Sequence, residues 1–415
     1  MRSVRLFAAI VGSIIVTASF ACAEDFQGTW QGQITQIDDL RYAFTIQKSA
    51  PGHWAAKVVL GPDSGIVWRL NSVEVKGPRI KLFQNDLGST YDGRISPDGE
   101  SITGIWTIGT TPYQLDLVRA TPKTVWKEAP HKTRFVTVDK NVRLEVLDWG
   151  GLGRPIILIP GSGSTAHVYG DLASKLVKNY HVYGITTRGT GASDKPLAPE
   201  FPLTNVGPNM FEVTPIQGPE NPYNADRLGD DTLEVMSALK IARPILVGHS
   251  IAGEVLSSIA SRHPSRIAGL IYLDAFYEYA YSDGQSYEHL FTPEHPERVN
   301  LASEKRLPSN PSSAIHWGMH EYRSIPSPAL AIFAAPHKRP PAHMSDPSGL
   351  KEYEDNEASI KVRLDRIEPT LPTVRFVRLP GASHWVFQTN EADVLREINT
   401  FISGLSSAPS FPSKK

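Results

Sequence analysis

The fold of the C-terminal part of this chain is decided by the stretch Pro244-Ile245-Leu246-Val247-Gly248-His249-Ser250-Ile251-Ala252-Gly253. An apolar run ends here in small residues around a serine, and a helical pattern follows at once. This order predicts a strand, a sharp turn and a helix, with Ser250 at the apex of the turn. The small residues permit the strained backbone that the turn requires, so Ser250 would be exposed as a nucleophile.

The composition is that of a globular protein. The chain has 415 residues, enough for two ordinary domains, with 40% hydrophobic and 20% charged residues. The 42 Lys and Arg residues nearly balance the 43 Asp and Glu residues, which gives a net charge of -1. This balance offers no electrostatic reason to expect a nucleic-acid partner.

Residues 1–23 are predicted to be a signal peptide. Arg2 and Arg5 precede an apolar run, Leu6–Phe20, and small residues up to Ala23 would allow cleavage. The run is short for a membrane span, so we predict export to the periplasm or beyond, without a stable membrane span in the mature form. An N-terminal anchor helix and lipid attachment at Cys22 are the alternatives. Cleavage after Ala23 would remove the one cysteine of the chain, which would exclude disulfides and thiol catalysis.

Residues 24–120 are predicted to form an all-β domain. They lack a helical period and instead contain short alternating runs separated by Gly, Pro and Asp turns. Strands at such spacing favour an antiparallel sheet or small barrel. The predicted strands are Trp30–Ile34, Tyr42–Gln47, Trp54–Leu60, Val67–Val75, Ile80–Phe83, Ser101–Thr107 and Tyr113–Val118.

The stretch Gly28–Gly32, Gly-Thr-Trp-Gln-Gly, resembles the start of small lipocalin-like β domains. The resemblance carries no chemistry by itself. Four tryptophans, Trp30, Trp54, Trp68 and Trp106, could line a ligand cavity. Packing of large aromatic side chains in the core is the favoured interpretation.

Beyond a predicted linker, residues 121–132, strand and helix patterns alternate. This alternation predicts a mostly parallel sheet covered by helices on both faces, with two antiparallel strands at its edge. Two Pro-rich stretches, near residues 198–227 and 278–326, are predicted to be cap insertions. Residues 406–415 are predicted to be a disordered tail. The predicted helices are Asp171–Val177, Asp230–Leu239, Glu254–Arg262 and Ala392–Leu405.

The segment 133–405 resembles an α/β-hydrolase, a fold built on a doubly wound, mostly parallel sheet. Its elbow, Gly248-His249-Ser250-Ile251-Ala252, is similar to the Gly-X-Ser-X-Gly turn of that family. Ala252 replaces the final glycine, and Gly253 follows directly. The resemblance implies that Ser250 is the nucleophile.

Two more stretches carry the resemblance. The apolar strand Ile156–Ile159 runs into Pro160-Gly161-Ser162-Gly163, which is similar to the oxyanion loop of the family, with a proline where a histidine is common. The resemblance assigns the oxyanion hole to the backbone N–H groups of Ser162 and Ile251. His384, after the last predicted strand, matches the position of the general base.

The acid of the triad has two candidate positions. The usual one follows the seventh strand, but the loop there, Pro336–Arg339, holds no carboxylate, and the next is Asp346. A variant branch of the family places the acid at the end of the sixth strand, where this chain has Asp274. We therefore predict Asp274 and keep Asp346 as the alternative. A structural carboxylate that caps a loop is the other interpretation of Asp274.

The resemblance implies a serine hydrolase that cleaves a small-molecule carboxylic ester of a small or medium acyl group. A serine at the elbow argues against dehalogenase and epoxide-hydrolase chemistry, since relatives with those activities use Asp there. A proline-iminopeptidase-like aminopeptidase is the first alternative, with an anionic pocket drawn from the acidic cap residues. A non-catalytic ligand-binding relative is the second. Those acidic cap residues are Glu278, Asp283, Glu288 and Glu294.

Neither a metal nor a cofactor is expected. The histidines lack paired ligand spacing, and no phosphate loop or dinucleotide fingerprint is present in the sequence. Arg188, in an Arg-Gly-X-Gly-X-Ser stretch, is expected to bridge loops without a catalytic role.

Overall fold

The computed structural model describes most of the chain between residues 25 and 405. The described ranges are 25–34, 40–60, 67–84, 88–108, 111–126, 128–276, 279–284, 297–300, 310–339 and 347–405. The predicted signal peptide, the predicted tail, Asp346, Glu278, Glu288 and Glu294 lie outside them. Within these ranges, no helix has the length and apolar character needed to cross a membrane.

The N-terminal part is one antiparallel, nearly closed, barrel-like sheet. In the described residues its ten strands follow the order β4-β3-β2-β1-β10-β8-β7-β6-β5, with β9 paired to β8. The prediction of an antiparallel sheet is confirmed. The strands are β1 (Gly28–Ile34), β2 (Leu40–Ala50), β3 (His53–Leu60), β4 (Val67–Arg69), β5 (Ser72–Lys76), β6 (Arg79–Gln84), β7 (Ser89–Ile95), β8 (Ser101–Ile108), β9 (Thr111–Gln114) and β10 (Leu117–Arg119).

The seam of this sheet lies between β4 and β5, which the sequence predicted as the single strand Val67–Val75. The chain changes partners there. The N–H group of Leu70 donates to the Ala56 carbonyl of β3 at 3.0 Å, and that of Asn71 donates to the Phe83 carbonyl of β6 at 2.7 Å. Two consecutive residues therefore bridge the two edges of the sheet, so the single-strand prediction was wrong.

Two other strand predictions differ from the structure. The predicted strand Tyr113–Val118 is divided between β9 and β10, because β9 pairs only with β8 whereas β10 pairs with both β8 and β1. Strand β7 was not predicted. Glycine and charged residues interrupt its alternation, although its burial in the sheet is regular.

Aromatic side chains fill the interior of the N-terminal sheet. Trp30 and Trp106 are buried, together with Tyr42, Phe44 and Tyr91. The ring centroid of Trp106 lies 5.6 Å from that of Tyr42 and 5.6 Å from that of Phe44. Burial of each such ring contributes on the order of 2 kcal/mol. Trp30 and Trp106 are thus core residues.

The linker is bound to this sheet through Gln31. The Gln31 amide group donates to the carbonyl of Thr124 at 2.8 Å and accepts from the N–H group of Trp126 at 3.1 Å. One side chain thereby satisfies two backbone groups of the linker, which fixes the start of the C-terminal part.

The C-terminal part is an eight-stranded sheet of order β11-β12-β14-β13-β17-β18-β20-β21 in the described residues. Strand β12 runs antiparallel to its neighbours, and the pairs from β14 to β21 are parallel. The prediction of a mostly parallel sheet is confirmed. Its strands are β11 (Lys132–Asp139), β12 (Val142–Gly150), β13 (Pro155–Ile159), β14 (His181–Ile185), β17 (Ile245–His249), β18 (Gly269–Leu273), β20 (Ala329–Ala334) and β21 (Val374–Leu379). Three further strands of the described part, β15 (Leu203–Gly207), β16 (Met210–Val213) and β19 (Glu297–Asn300), form a separate sheet.

Helices cover this sheet, and every residue of the central strands β17, β18 and β20 is buried. Such continuous apolar burial is typical of parallel strands with helices on both faces. The described helices are α1 (Gly170–Leu176), α2 (Ala225–Ala238), α3 (Ala252–Arg262), α4 (Pro311–His316), α5 (Pro347–Ile367), α6 (Val386–Thr389) and α7 (Glu391–Gly404), with short 3-10 turns at Ala166–Tyr169, Pro264–Arg266 and Glu368–Thr370. Helix α2 begins before its predicted start because the Asn224 side chain caps it by accepting from the Arg227 N–H group.

The two predicted cap stretches contain regular structure. Strands β15 and β16 form a hairpin in the first stretch, and β19 from the second stretch adds a third strand. Helix α4 also belongs to the second stretch. Buried Arg188 anchors the entry to this region, since its guanidinium binds Asp231 of α2 through two 2.6 Å hydrogen bonds and donates to the Pro222 carbonyl.

Candidate active site

Ser250 lies on a strained turn between β17 and α3. Its φ angle is +53°, in the left-handed region that costs a non-glycine residue on the order of 1–3 kcal/mol. A Cβ atom on Gly253 would lie 2.3 Å from the Ala275 carbonyl oxygen. Gly253 is therefore the small residue that this close approach needs.

The glycine-rich loop after β13 packs against this turn. A Cβ atom on Gly161 would lie 2.9 Å from the Ser250 Cβ atom, so only glycine allows the approach. A cavity of about 250 Å³ opens beside Ser250. Ser162 and Ile251, the residues predicted to form the oxyanion hole, both line it. The lining residues are Ser162, Ser250, Ile251, Tyr279, Ser312, Ser313, His316 and Trp317.

The structure brings His384 and Asp274 together. Nδ1 of His384 lies 2.6 Å from Oδ2 of Asp274, and the carboxylate must be the acceptor. This bond fixes the proton on Nδ1 and leaves the Nε2 lone pair of the neutral ring available. Asp274 follows β18 with a φ angle of +47°, and its Oδ1 accepts from the Ala334 N–H group at 2.9 Å. Burial alone would raise the pKa of Asp274, but hydrogen bonds from His337 and His384 lower it to about 2.

A second histidine binds the same carboxylate. Nε2 of His337 lies 3.0 Å from Oδ2 of Asp274, and Nδ1 lies 2.8 Å from Oε1 of Glu357 on helix α5. Oε2 of Glu357 accepts from the backbone N–H of His337 at 3.0 Å. Burial would lower the pKa of His337, but the two carboxylates outweigh it and raise the pKa to about 10. His337 is therefore a cation at neutral pH.

His249, directly before Ser250, supports the backbone of His384. Its ring is buried, and Nε2 donates to the His384 carbonyl oxygen at 2.9 Å. Burial and the neighbouring His384 ring lower the pKa of His249 to about 3. His249 is therefore a neutral packing residue, with its ring centroid 4.5 Å from that of His384.

Sequence reasoning missed three features of this site. They are the bond from His249 to the His384 carbonyl oxygen, the position of His337 beside Asp274, and the position of Glu357 beside His337. The loop Pro336–Arg339 holds no carboxylate, yet it supplies His337, which binds the carboxylate of Asp274. Asp283, the one acidic cap residue of the aminopeptidase alternative that lies in the described part, pairs with Arg366. Asp346 lies outside that part, so the structure gives no comparison of its position with that of Asp274.

Among the described residues, two groups of side chains have the composition of a metal site, although most of their members are distant in sequence. Asp274, His337 and His384 carry potential ligand atoms within 4.8 Å of one another. Their nitrogen atoms hold the protons of the imidazole–carboxylate bonds, so we describe this group as a hydrogen-bonded network. The other group comprises Glu128, His131 and His167, none of which lines the cavity beside Ser250.

Comparison with known proteins agrees with this architecture. Residues 154–327 match the family model described as the α/β hydrolase fold. A "Putative carbamate hydrolase RutD" of Caulobacter segnis is 27% identical over 141 residues, 34% of this chain and 45% of that protein. A "Putative non-heme haloperoxidase" of Mycobacterium phage D29 is 26% identical over 126 residues, 30% of this chain and 37% of that protein. The chain thus spans less than half the length of either relative.

Solved structures give only a broad likeness. A thermophilic esterase from Thermogutta terrifontis has a TM-score of 0.42 and 17% identity, over 66% of this chain and 98% of that chain. The sheet order and the matched residues together show that the C-terminal part of this chain has the α/β-hydrolase fold.

Proposed function

We propose that this protein is an exported serine hydrolase that cleaves a carboxylic ester of a small acyl group. The observation that carries the proposal is the 2.6 Å bond between His384 Nδ1 and buried Asp274, in the same part of the fold as the strained turn at Ser250. A histidine oriented by a carboxylate, together with a serine that lines a cavity, is the arrangement needed for nucleophilic acyl transfer.

The proposed reaction has two stages. The Ser250 hydroxyl attacks the ester carbonyl while His384 Nε2 accepts its proton, and the same proton then passes to the departing alcohol. Water attacks the acyl-enzyme with His384 again as the base, which releases the acid and restores Ser250. The N–H groups of Ser162 and Ile251 are proposed to stabilise the oxyanion in both stages.

Asp274 is proposed to stabilise the charged form of His384. Its low pKa keeps the carboxylate ionised at neutral pH, so a negative charge faces the imidazolium that forms during each stage. The bond to the Ala334 N–H group holds the other carboxylate oxygen, which restricts rotation of the side chain.

The size and polarity of the cavity support a small substrate. Its volume of about 250 Å³ is at the lower end of ligand sites, and several of its lining side chains carry hydroxyl groups. None of its lining residues in the described part is a carboxylate, whereas Glu278, Glu288 and Glu294, on which the aminopeptidase alternative depends, lie outside that part. The name of the Caulobacter segnis relative makes a carbamate the second substrate class to assay.

Replacing the nucleophile tests the proposal most directly. We expect Ser250→Ala to lower kcat for p-nitrophenyl acetate by at least about 10⁴-fold and to abolish labelling by a fluorophosphonate probe. Ser174→Ala, on the exposed surface of α1, is the matched control and should retain both properties. Full ester turnover in Ser250→Ala would refute the mechanism. Parallel assays with an aryl carbamate and a proline anilide would identify the acyl class.

A further inference from the structure

His337, in the loop after β20, has a carboxylate at each of its two ring nitrogens. His337 donates one ring N–H to Asp274 and the other to Glu357, so a partly buried imidazolium lies between two carboxylates. The Tyr353 hydroxyl also donates to the His337 carbonyl oxygen at 2.6 Å. Both ring nitrogens and the backbone of His337 are thus held in place. The aromatic ring cannot leave Asp274 without breaking several hydrogen bonds.

A cation beside the triad acid should by itself weaken catalysis. Asp274 stabilises positive charge on His384 only to the extent that its own charge is not neutralised by His337. Glu357 supplies the compensating charge, since its carboxylate faces the side of His337 opposite to Asp274. Asp274, His337 and Glu357 together carry a net charge of about -1, the same as an isolated carboxylate.

We propose that His337 and Glu357 are positioning residues of the triad, with His337 orienting Asp274 and Glu357 neutralising His337. The inference rests on the proposed function of Ser250, His384 and Asp274. In this arrangement the loop after β20 supplies a cation that holds an acid located directly after the neighbouring strand β18. Neither His337 nor Glu357 exchanges a proton with the substrate.

The charge balance predicts a specific dependence on pH. In Glu357→Gln, His337 keeps Asp274 as its one carboxylate partner, so its pKa falls from the wild-type value of about 10. While His337 remains protonated, Asp274 is neutralised and the variant should be impaired. When His337 loses its proton at higher pH, the charge of Asp274 is restored. The defect should therefore shrink as pH rises.

The test is kcat/KM for p-nitrophenyl acetate from pH 6 to pH 10 in four proteins: wild type, Glu357→Gln, His337→Gln and the double variant. We expect Glu357→Gln to lower kcat/KM about tenfold near pH 7, with KM changed less than about twofold. In the His337→Gln background, the Glu357→Gln change should add little, because no cation remains to be neutralised. Glu354→Gln, on an exposed residue of the same helix, is the matched control.

The outcomes separate this inference from the function on which it rests. Fluorophosphonate labelling of the wild type, without labelling of Ser250→Ala, supports the proposed function. With labelling established, a Glu357→Gln defect that is equal at every pH, or that adds fully to His337→Gln, would overturn the positioning role alone. Absence of labelling in the wild type would overturn both proposals.

Discussion

In the described part of the chain, two histidines each lie between two carboxylates, but only one of them binds a carboxylate that also binds the proposed catalytic base. The first group, which we call the strand-end cluster, consists of Asp274, His337 and Glu357. Its carboxylate Asp274 has a further bond to His384. A change of charge in this cluster therefore reaches the histidine that would accept the serine proton.

The second group, the linker cluster, consists of Glu128, His167 and Glu145. His167 Nδ1 contacts Glu128 of the linker, and Nε2 lies 3.3 Å from Glu145 of β12. Burial lowers the pKa of His167, but hydrogen bonds to both carboxylates outweigh it and raise the pKa to about 9. Glu145 in turn accepts from the Thr186 hydroxyl at 2.7 Å.

The two clusters differ in the further hydrogen-bond partner of one carboxylate in each. Beyond Asp274 is the imidazole of His384, whereas beyond Glu145 is the Thr186 hydroxyl. A histidine between two carboxylates can thus lie beside a proposed catalytic base or attach the predicted linker to a sheet. The three side chains alone do not distinguish these roles. The position of each cluster in the fold, and therefore its further hydrogen-bond partner, does.

The largest expected effect is the difference between two substitutions, one at the strand-end carboxylate Asp274 and one at the linker-cluster carboxylate Glu145. Asp274→Asn should lower kcat by about 10⁴-fold, because the amide favours the wrong tautomer of His384. Glu145→Gln should leave kcat for p-nitrophenyl acetate within about twofold, since its cluster does not reach His384. Asp274→Asn with a near-wild-type rate would remove Asp274 from the triad, whereas a large loss in Glu145→Gln would remove the distinction between the clusters.

An intermediate effect is expected for stability when the linker cluster loses its cation. The folded-state pKa of His167 is raised above its unfolded value, so its stabilising contribution is complete below about pH 6.5 and is lost as pH rises through about 9. His167→Gln should lower the free energy of unfolding by about 3 kcal/mol at pH 6, with a difference that shrinks by pH 10. Urea unfolding of both proteins at the two pH values measures it. A pH-independent difference would assign the effect to packing.

The smallest effect is expected at an exposed ion pair between the two parts of the chain. Arg41 lies 3.3 Å from Asp171, with 44% and 64% of the two side chains exposed. Exposed pairs contribute little because water and salt screen them. Arg41→Met should change the free energy of unfolding by less than about 1 kcal/mol in the same urea experiment. A larger loss would mean that this surface pair, rather than the linker cluster, dominates the attachment.

Patterns local in sequence predicted most of the fold and part of the candidate site. The apolar run before Ser250, the glycines of the loop at Ser162 and the position of His384 each carry a signal within a few residues. Asp274 was selected because the family resemblance offers a position after the sixth strand and the loop after the seventh strand, Pro336–Arg339, holds no carboxylate. The structure then placed its carboxylate at hydrogen-bond distance from His384.

The remaining features depend on contacts between distant segments. Glu357 lies within helix α5, where a glutamate is ordinary, and only the fold brings it to His337. The linker cluster likewise joins Glu128 to residues of a later turn and strand. The break at Leu70 and Asn71 contains neither Gly nor Pro, and its turn residues are Asn71 and the following Ser72, so sequence reasoning joined β4 to β5. The break follows from the hydrogen-bond partners of these two residues, which lie on β3 and β6, next to the opposite edge strands of the sheet.

That break has a consequence for how the N-terminal sheet is assembled. The two edges that meet at the seam are joined by neighbouring residues, so closing the seam orders almost no additional chain and has a small entropic cost. The demanding step is the pairing of β1 with β10, where Trp30 lies opposite Arg119 and nearly the whole domain lies between them. Folding of this sheet should therefore be limited by the meeting of its chain ends and not by closure of its edges.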